Sequence, residues 1–499
     1  MKEVFLLVKD LNVFDAHYQL FIGGKWTDGT DGNKLTSYNP SNGEALATFI
    51  DASDQDVDAA VSAAKEAQES WKKVPVKEKS KLLLDIADAI DANLDKLALM
   101  ETLDNGKSLR ETTNADIPLA ADHFRYFAGV IRSEEDTVKQ IDENTLSLII
   151  KEPVGVVGQI VPWNFPFLMG AWKIAPAIAA GNAVVIHPSS STSLSLLELG
   201  KILADILPGG VVNIVTGKGS KSGEYMQHHK GFNKLAFTGS TSVGRNIGIA
   251  AAENLIPSTL ELGGKSANIF FDDMPFEQAI EGAQKGILFN QGQVCSAGSR
   301  IFVQENVYDK FVAALKEQFQ KVKVGLPWED DVQMGAQINQ GQLDKILEYV
   351  EIGKKEGANV LTGGEKLEND KLKDGVFLEP TLLETTNDTR VAQEEIFGPV
   401  ATIIKFKDEE EVIKLANDNE YGLAGGVWSR DINRIFRVSK AIQTGRVWVN
   451  TYNAFEAGTP FGGYKNSGIG RETHKMILDA YTQAKNIYIN LNEEKEGLY

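Results

Sequence analysis

From Pro153 onward one local pattern recurs. Short apolar runs bounded by glycine or proline (VGVVGQIV, NAVVIH, GVVNIVTG, KLAFTG, TLELGG, ANIFF) alternate with stretches of helical spacing such as 194–207 and 244–254. Runs of this length suit buried strands, and helices between successive strands make βαβ units, so the pattern predicts an α/β fold with a parallel sheet. A second α/β stretch is expected over about 276–476, with helices at 308–322 and 341–356. The first third reads differently. A hairpin is expected at Phe21–Trp26, followed by helices. The first helix starts after Ser53 with Val57, Ala60, Val61, Ala64, Ala67 and Trp71 on one face. The second carries Leu83, Ile86, Ile90, Leu94 and Leu97 and stops near Asn105-Gly106; the third spans about 114–131.

Two segments have period-2 spacing: Leu146, Leu148, Ile150 and Ile487, Ile489, Leu491. Such spacing marks half-buried strands. They fit either an edge sheet that pairs with another subunit or two ordinary hairpin strands within one chain.

The chain has 499 residues, which implies two to four domains. Its 51 basic and 69 acidic side chains leave a formal charge of −18, with no basic run, and nucleic-acid binding rests on basic phosphate contacts. The apolar patch in MKEVFLLVKDLNVF is short for a secretory segment, and the longest apolar run, Ile174–Ile186, is broken by Pro176, Gly181 and Asn182. A cytoplasmic protein is expected, with neither a nucleic acid nor a membrane as partner. A single cysteine excludes a disulfide framework and cysteine-rich zinc sites, so no metal is expected.

That cysteine, Cys295, sits among small and polar residues in FNQGQVCSAGS, which describes a turn exposing the thiol. A nucleophilic thiol needs such access and a setting that stabilises thiolate; a structural cysteine is instead buried and inert. None of the six histidines is near it in sequence. Glu261, at the end of an apolar run and before Gly263-Gly264, is either a general base or a satisfied strand-end carboxylate. Thr238–Gly244 is a glycine-containing turn between a strand and a helix, where backbone N–H groups suit a pyrophosphate or merely close the turn. It matches neither the dinucleotide fingerprint GxGxxG nor a Walker-A loop.

Six motifs in order resemble those of the aldehyde dehydrogenase superfamily: PWNFP (162–166), FTGSTSVG (237–244), LELGGKSAN (260–268), GQVCSAGSR (292–300), EEIFGPV (394–400) and FGGYKNSGIGRE (461–472). The likeness is strongest to bacterial enzymes acting on acetaldehyde and other short aliphatic aldehydes. It implies a Rossmann-like NAD(P)-binding domain (18–133 and 154–262), an α/β catalytic domain (263–478) and a small β oligomerisation arm (134–153 and 479–499).

The resemblance places the nucleophile on Cys295, the base on Glu261 and the oxyanion contact on the Asn164 amide with the Cys295 N–H, and it carries proton-transfer roles to Lys173 and Glu472. For the cofactor it implies Trp163, Gly239, Ser240, Gly244, Leu262, Gln342, Lys345, Glu395 and Phe397, with His187 and Ser190 at the adenosine end. For the aldehyde it implies an apolar wall of Phe165, Met169, Trp172, Val294, Ser296, Phe455 and Phe461. Where the family commonly has Lys-Pro-Ser/Ala-Glu, this chain has His187-Pro188-Ser189-Ser190. That removes both a cation that attracts a 2′-phosphate and a carboxylate that repels one. Partial charge is expected on His187 near neutral pH. NAD is expected, with NADP possible. The implied enzyme is a homodimer or homotetramer releasing a free acid. The alternatives are an acylating, coenzyme A-dependent enzyme, which retention of Glu261 disfavours, and a catalytically silent dinucleotide-binding protein, which the presence of Cys295, Glu261 and Asn164 disfavours.

Overall fold

A computed structural model describes residues 13–495, 497 and 499. The apolar patch near the start of the chain lies mostly outside these residues. The first long helix, Asp54–Trp71, begins where predicted. The Ser53 side chain accepts from the Asp56 N–H, and the Asp56 carboxylate accepts in return from the Ser53 N–H at 2.8 Å.

The second predicted helix is two helices, Val76–Ala92 and Leu94–Asn105. Asn93 leaves the helical backbone (φ −112°, ψ 15°) while its Nδ2 donates to the Ala89 carbonyl at 2.8 Å. An asparagine that bonds locally to backbone competes with helix continuation. The buried positions Leu83, Ile86, Ile90 and Leu97 keep their spacing across the break, which hides it from a pattern reading. The third helix, Ile117–Val130, is preceded by a π-helical turn at Thr112–Asp116.

Two sheets organise the rest. The first has eight strands in the order Gly468–Ile469, Ser258–Glu261, Lys234–Thr238, Val156–Ile160, Ala183–His187, Val212–Ile214, Leu20–Ile22, Lys25–Thr27. Its five strands from 156–261 are parallel, as the alternating pattern predicts; the hairpin Leu20–Thr27 adds antiparallel at one edge and Gly468–Ile469 at the other. The second has seven: Asn359–Thr362, Thr381–Glu384, Val400–Phe406, Arg300–Gln304, Ala267–Phe270, Ala424–Trp428, Arg446–Val449. All its pairings are parallel except the first.

The chain passes from the end of the first sheet at Glu261 to the start of the second at Ala267 through a short glycine-bearing link. Open parallel sheets bind ligands beyond the carboxyl ends of their strands, and here Ile160, Thr238 and Glu261 end three of them. The two alternating segments pair with each other inside one chain: Leu148 lies opposite Ile487 and Leu146 opposite Ile489, with Thr137–Asp142 as the third strand. Val138, Ile149 and Tyr488 are exposed on this small sheet. Among the described residues no helix is long and apolar enough to cross a membrane.

Candidate active site

Cys295 lies just past an unusual turn. Helix Phe276–Leu288 ends in Phe289–Gly292, where Asn290 (φ 50°, ψ 40°) and Gln291 (φ 55°, ψ 29°) are both left-handed, followed by Gly292 at φ 72°. Left-handed residues without glycine are uncommon, and two in succession mark a constrained loop. Gly292 is required on a second count, since a Cβ there would stand 2.1 Å from the Gly398 carbonyl oxygen. The loop leaves Cys295 half-buried, with its thiol facing the backbone N–H groups of Cys295 and Ser296. These N–H groups lower its pKa, but burial, followed by the Glu395 and Glu261 carboxylates, outweighs them and holds the thiol above its ordinary value. The expected thiolate-stabilising setting is therefore only partly present: the donors are there, and the surroundings favour the neutral thiol.

Two cavities meet at this loop. The larger, about 460 Å³, is lined by all seven predicted aldehyde-wall residues, Phe165, Met169, Trp172, Val294, Ser296, Phe455 and Phe461, and by Cys295, Glu261 and Asn164. Trp172 meets Phe461 edge-on, with ring centres 5.5 Å apart. Phe289, which stacks on Phe165 at 5.9 Å, and Leu119 and Leu168 also form the wall and were missed. The aromatic at the head of the FNQGQVCS segment was the one available signal. Exposed Asp122 and Lys285 border the same cavity.

The smaller cavity, about 200 Å³, is lined by Trp163, Gly239, Ser240, Leu262, Gln342, Lys345, Glu395 and Phe397, and shares Asn164, Thr238 and Cys295 with the larger one. Trp163 packs edge-on against Phe397 at 5.2 Å. Gln342 Nε2 donates to the Phe397 and Ile396 carbonyls at 2.7 and 3.2 Å. Glu395 accepts from the Gly264 N–H at 2.9 Å. Ser240 caps the helix Thr241–Glu253.

These donors fit a dinucleotide: a helix N-terminus and the Lys345 ammonium suit the anionic pyrophosphate, and a fixed carboxylate suits ribose hydroxyls. Three predicted cofactor residues stand outside this wall. Gly244 instead lets its helix close on the strand end, since a Cβ there would lie 2.2 Å from Leu262 Cδ2. His187 is buried, with Nε2 2.9 Å from Ser222 Oγ, and burial lowers its pKa to about 4. It is neutral near pH 7, which corrects the expected partial charge. Ser190 is half-buried just beyond it.

Asn164 Nδ2 donates to the Gln293 carbonyl at 2.8 Å, so one of its two amide hydrogens is committed and one is left. Neither oxygen of the buried Glu261 carboxylate has a hydrogen-bond partner among the described residues. Burial, then repulsion from Glu472, holds Glu261 well above the usual carboxylate range, against Lys173 and Arg471. Lys173 Nζ donates to Glu472 Oε1 at 2.7 Å, with both side chains fully buried; neither residue lines the two cavities, and both charges act on Glu261. Among the described residues no histidine lines either cavity.

The aldehyde dehydrogenase family model matches residues 26–487. An acetaldehyde dehydrogenase of Pseudomonas aeruginosa is 49% identical over 493 residues, 97% of each chain. Among solved structures, a Bacillus cereus aldehyde dehydrogenase in complex with NAD+ is 41% identical with a TM-score of 0.94, covering 97% of this chain and 99% of that one. A Staphylococcus aureus betaine aldehyde dehydrogenase in complex with NAD+ is 39% identical with a TM-score of 0.96, covering 100% of both. With the motifs, the two sheets and the family match extending over nearly the whole length, this chain belongs to the aldehyde dehydrogenase family, the oxidoreductases that oxidise aldehydes with a nicotinamide cofactor.

Proposed function

We propose that this enzyme oxidises small uncharged aldehydes of the acetaldehyde type to free carboxylic acids, with NAD as its cofactor. The observation that carries the reading is the meeting at one thiol of an apolar cavity and a second cavity that holds the Ser240 helix N-terminus, Lys345 and Glu395, with a carboxylate on the apolar side that has no hydrogen-bond partner among the described residues. Cys295 gives up its thiol proton to solvent water, and Sγ then adds to the aldehyde carbonyl carbon. The remaining Asn164 amide hydrogen and the Cys295 N–H stabilise the oxyanion; preorganised donors of this kind are the largest single contribution in many acyl-transfer sites. NAD bound in the smaller cavity would accept the hydride that converts the thiohemiacetal to a thioester. Glu261 then takes a proton from water as the water attacks the thioester carbonyl, and the acid leaves with the thiol restored. Burial and the nearby Glu472 raise the Glu261 pKa, which makes the ionised carboxylate a stronger base toward water. The Lys173–Glu472 pair sits beside it and sets the local field.

The aromatic and aliphatic wall favours an uncharged substrate. A charged semialdehyde would need a cationic partner inside the cavity, whereas Lys285 is solvent-exposed; of the buried carboxylates on the wall, Asp116 is already paired with Lys107 and Glu261 has its pKa raised. The test is a kcat/KM series over acetaldehyde, propionaldehyde, glycolaldehyde, betaine aldehyde and succinic semialdehyde. The first two should lead, and a clear preference for betaine aldehyde or the semialdehyde overturns the reading. NADH production should not require coenzyme A. The exposed apolar side chains of the small sheet support assembly with further copies of the chain, and light scattering should give a dimer or larger. A cytoplasmic setting fits the reduced state that a catalytic thiol needs.

A further inference from the structure

The backbone of Asn164 is gripped by two side chains with no part in the chemistry above. Its carbonyl accepts from Lys107 Nζ at 2.7 Å and from Asn290 Nδ2 at 2.8 Å. Asn290 Nδ2 also donates to the Gln293 carbonyl at 3.2 Å, the same oxygen that receives the Asn164 amide at 2.8 Å. Asn164, Gln293 and Asn290 thus form a closed set of hydrogen bonds that ties the amide to the loop carrying Cys295. Lys107 is fully buried; its ammonium also donates to Asp116 Oδ2 at 2.6 Å, stands 4.0 Å from Glu101 Oε1 and lies 4.1 Å from the centre of the Phe165 ring. Asn290 occupies the left-handed turn, and the Glu111 carboxylate accepts its N–H at 3.2 and 3.3 Å.

Such an arrangement is more than fold stability needs. A buried lysine is costly unless paired, and apolar residues could fill the space as well. A left-handed asparagine is a strained choice that persists only where its surroundings over-determine it. What both side chains converge on is one carbonyl, that of Asn164, whose side chain lines both cavities together with the thiol. The terminal torsion of an asparagine side chain is broad, so the direction of its free N–H is not set by the rotamer. A donor works only within about 2.7–3.1 Å of the developing oxyanion.

We propose that Lys107 and Asn290 are positioning residues for the Asn164 amide. Lys107 and Asn290 fix its backbone, the shared Gln293 carbonyl takes one amide hydrogen, and the other is left aimed at the oxygen of the aldehyde bound to Cys295. Asp116 holds Lys107 in place. The inference rests on the reading of Asn164 as the oxyanion donor.

A double-mutant cycle tests it in the full-length enzyme with NAD and acetaldehyde, reading kcat from NADH production and the NAD Kd from fluorescence. Asn290→Ser and Lys107→Met should each lower kcat about tenfold or more with the NAD Kd within about twofold, and in an Asn164→Ala enzyme each should change kcat by less than about twofold, because the group they position is gone. The same fold loss recurring in the Asn164→Ala enzyme overturns the proposal, as does an unchanged kcat in the single variants. Asn290→Ser leaves the buried Lys107–Asp116 pair intact and carries the cycle alone where Lys107→Met does not fold. A native kcat for Asn164→Ala by itself overturns the oxyanion reading instead, so the two failures are separable.

Discussion

Lys173 and Glu472 form a fully buried ion pair, Nζ to Oε1 2.7 Å, near enough to the Glu261 carboxylate for both charges to act on it. Removing one partner from such a pair strands a charge in the interior and typically costs about 3–5 kcal/mol, whereas replacing both with apolar groups is often close to neutral. Lys173→Met should therefore lower Tm strongly, and Lys173→Met/Glu472→Leu should recover most of the loss in a thermal scan. Both enzymes should still turn over more slowly than the native one, because the charges that set the Glu261 field are altered.

Glu261 also predicts the pH profile. Burial and Glu472 raise its pKa, so the carboxylate form needed for water activation appears only as pH rises through that raised value. With the thiol of Cys295 raised as well, kcat should keep climbing as pH rises above the ordinary carboxylate range. Glu261→Gln should abolish most turnover while leaving an initial release of NADH, since thioester formation does not need the base. A group with a raised folded pKa contributes stability that is complete below the ordinary carboxylate range and lost as pH climbs through the folded value. Glu261→Gln should consequently gain Tm over the native protein as pH rises.

The lone cysteine makes thiol chemistry directly readable. Iodoacetamide should add one label per chain, at Cys295, and inactivate in proportion, and Cys295→Ala should be inactive and unlabelled by mass spectrometry. Because the pKa of the half-buried thiol is raised, the labelling rate should keep rising with pH well beyond neutrality.

The proposed preference for NAD is tested at His187 and Ser190, where the resemblance puts the adenosine end. A neutral, buried His187 bonded to Ser222 offers no charge to a 2′-phosphate. Ser190→Glu adds a carboxylate on the loop just beyond that strand, and should depress kcat/KM for NADP about tenfold or more while sparing NAD. Equal effects on the two cofactors would remove His187–Ser190 from the specificity determinants.

What the sequence disclosed follows from the range of the interactions. The parallel strands of 156–261 were visible because each is a short apolar run with its own glycine or proline boundary. Cys295, Glu261 and Asn164 were visible because each sits in a compact motif. The break at Asn93 was hidden, because a local asparagine bond bends the backbone without disturbing the apolar spacing on either side. The neutral state of His187 was hidden too, since burial alone sets it, and burial belongs to the fold. Lys107 and Asn290 reach Asn164 from 57 and 126 positions away along the chain, so neither local pattern nor propensity could connect them.

Cys295, Asn164 and Thr238 border both cavities. The thiol therefore stands in a partition wall between two rooms, each with its own lining, and traffic through one need not wait for the other. Water and the departing acid can pass on the aldehyde side while the dinucleotide keeps its place. The aldehyde room can likewise be refurnished, at Trp172 or Phe455 for instance, without touching the furniture of its neighbour. In such a plan, the breadth of aldehydes accepted and the grip on the dinucleotide are free to evolve separately.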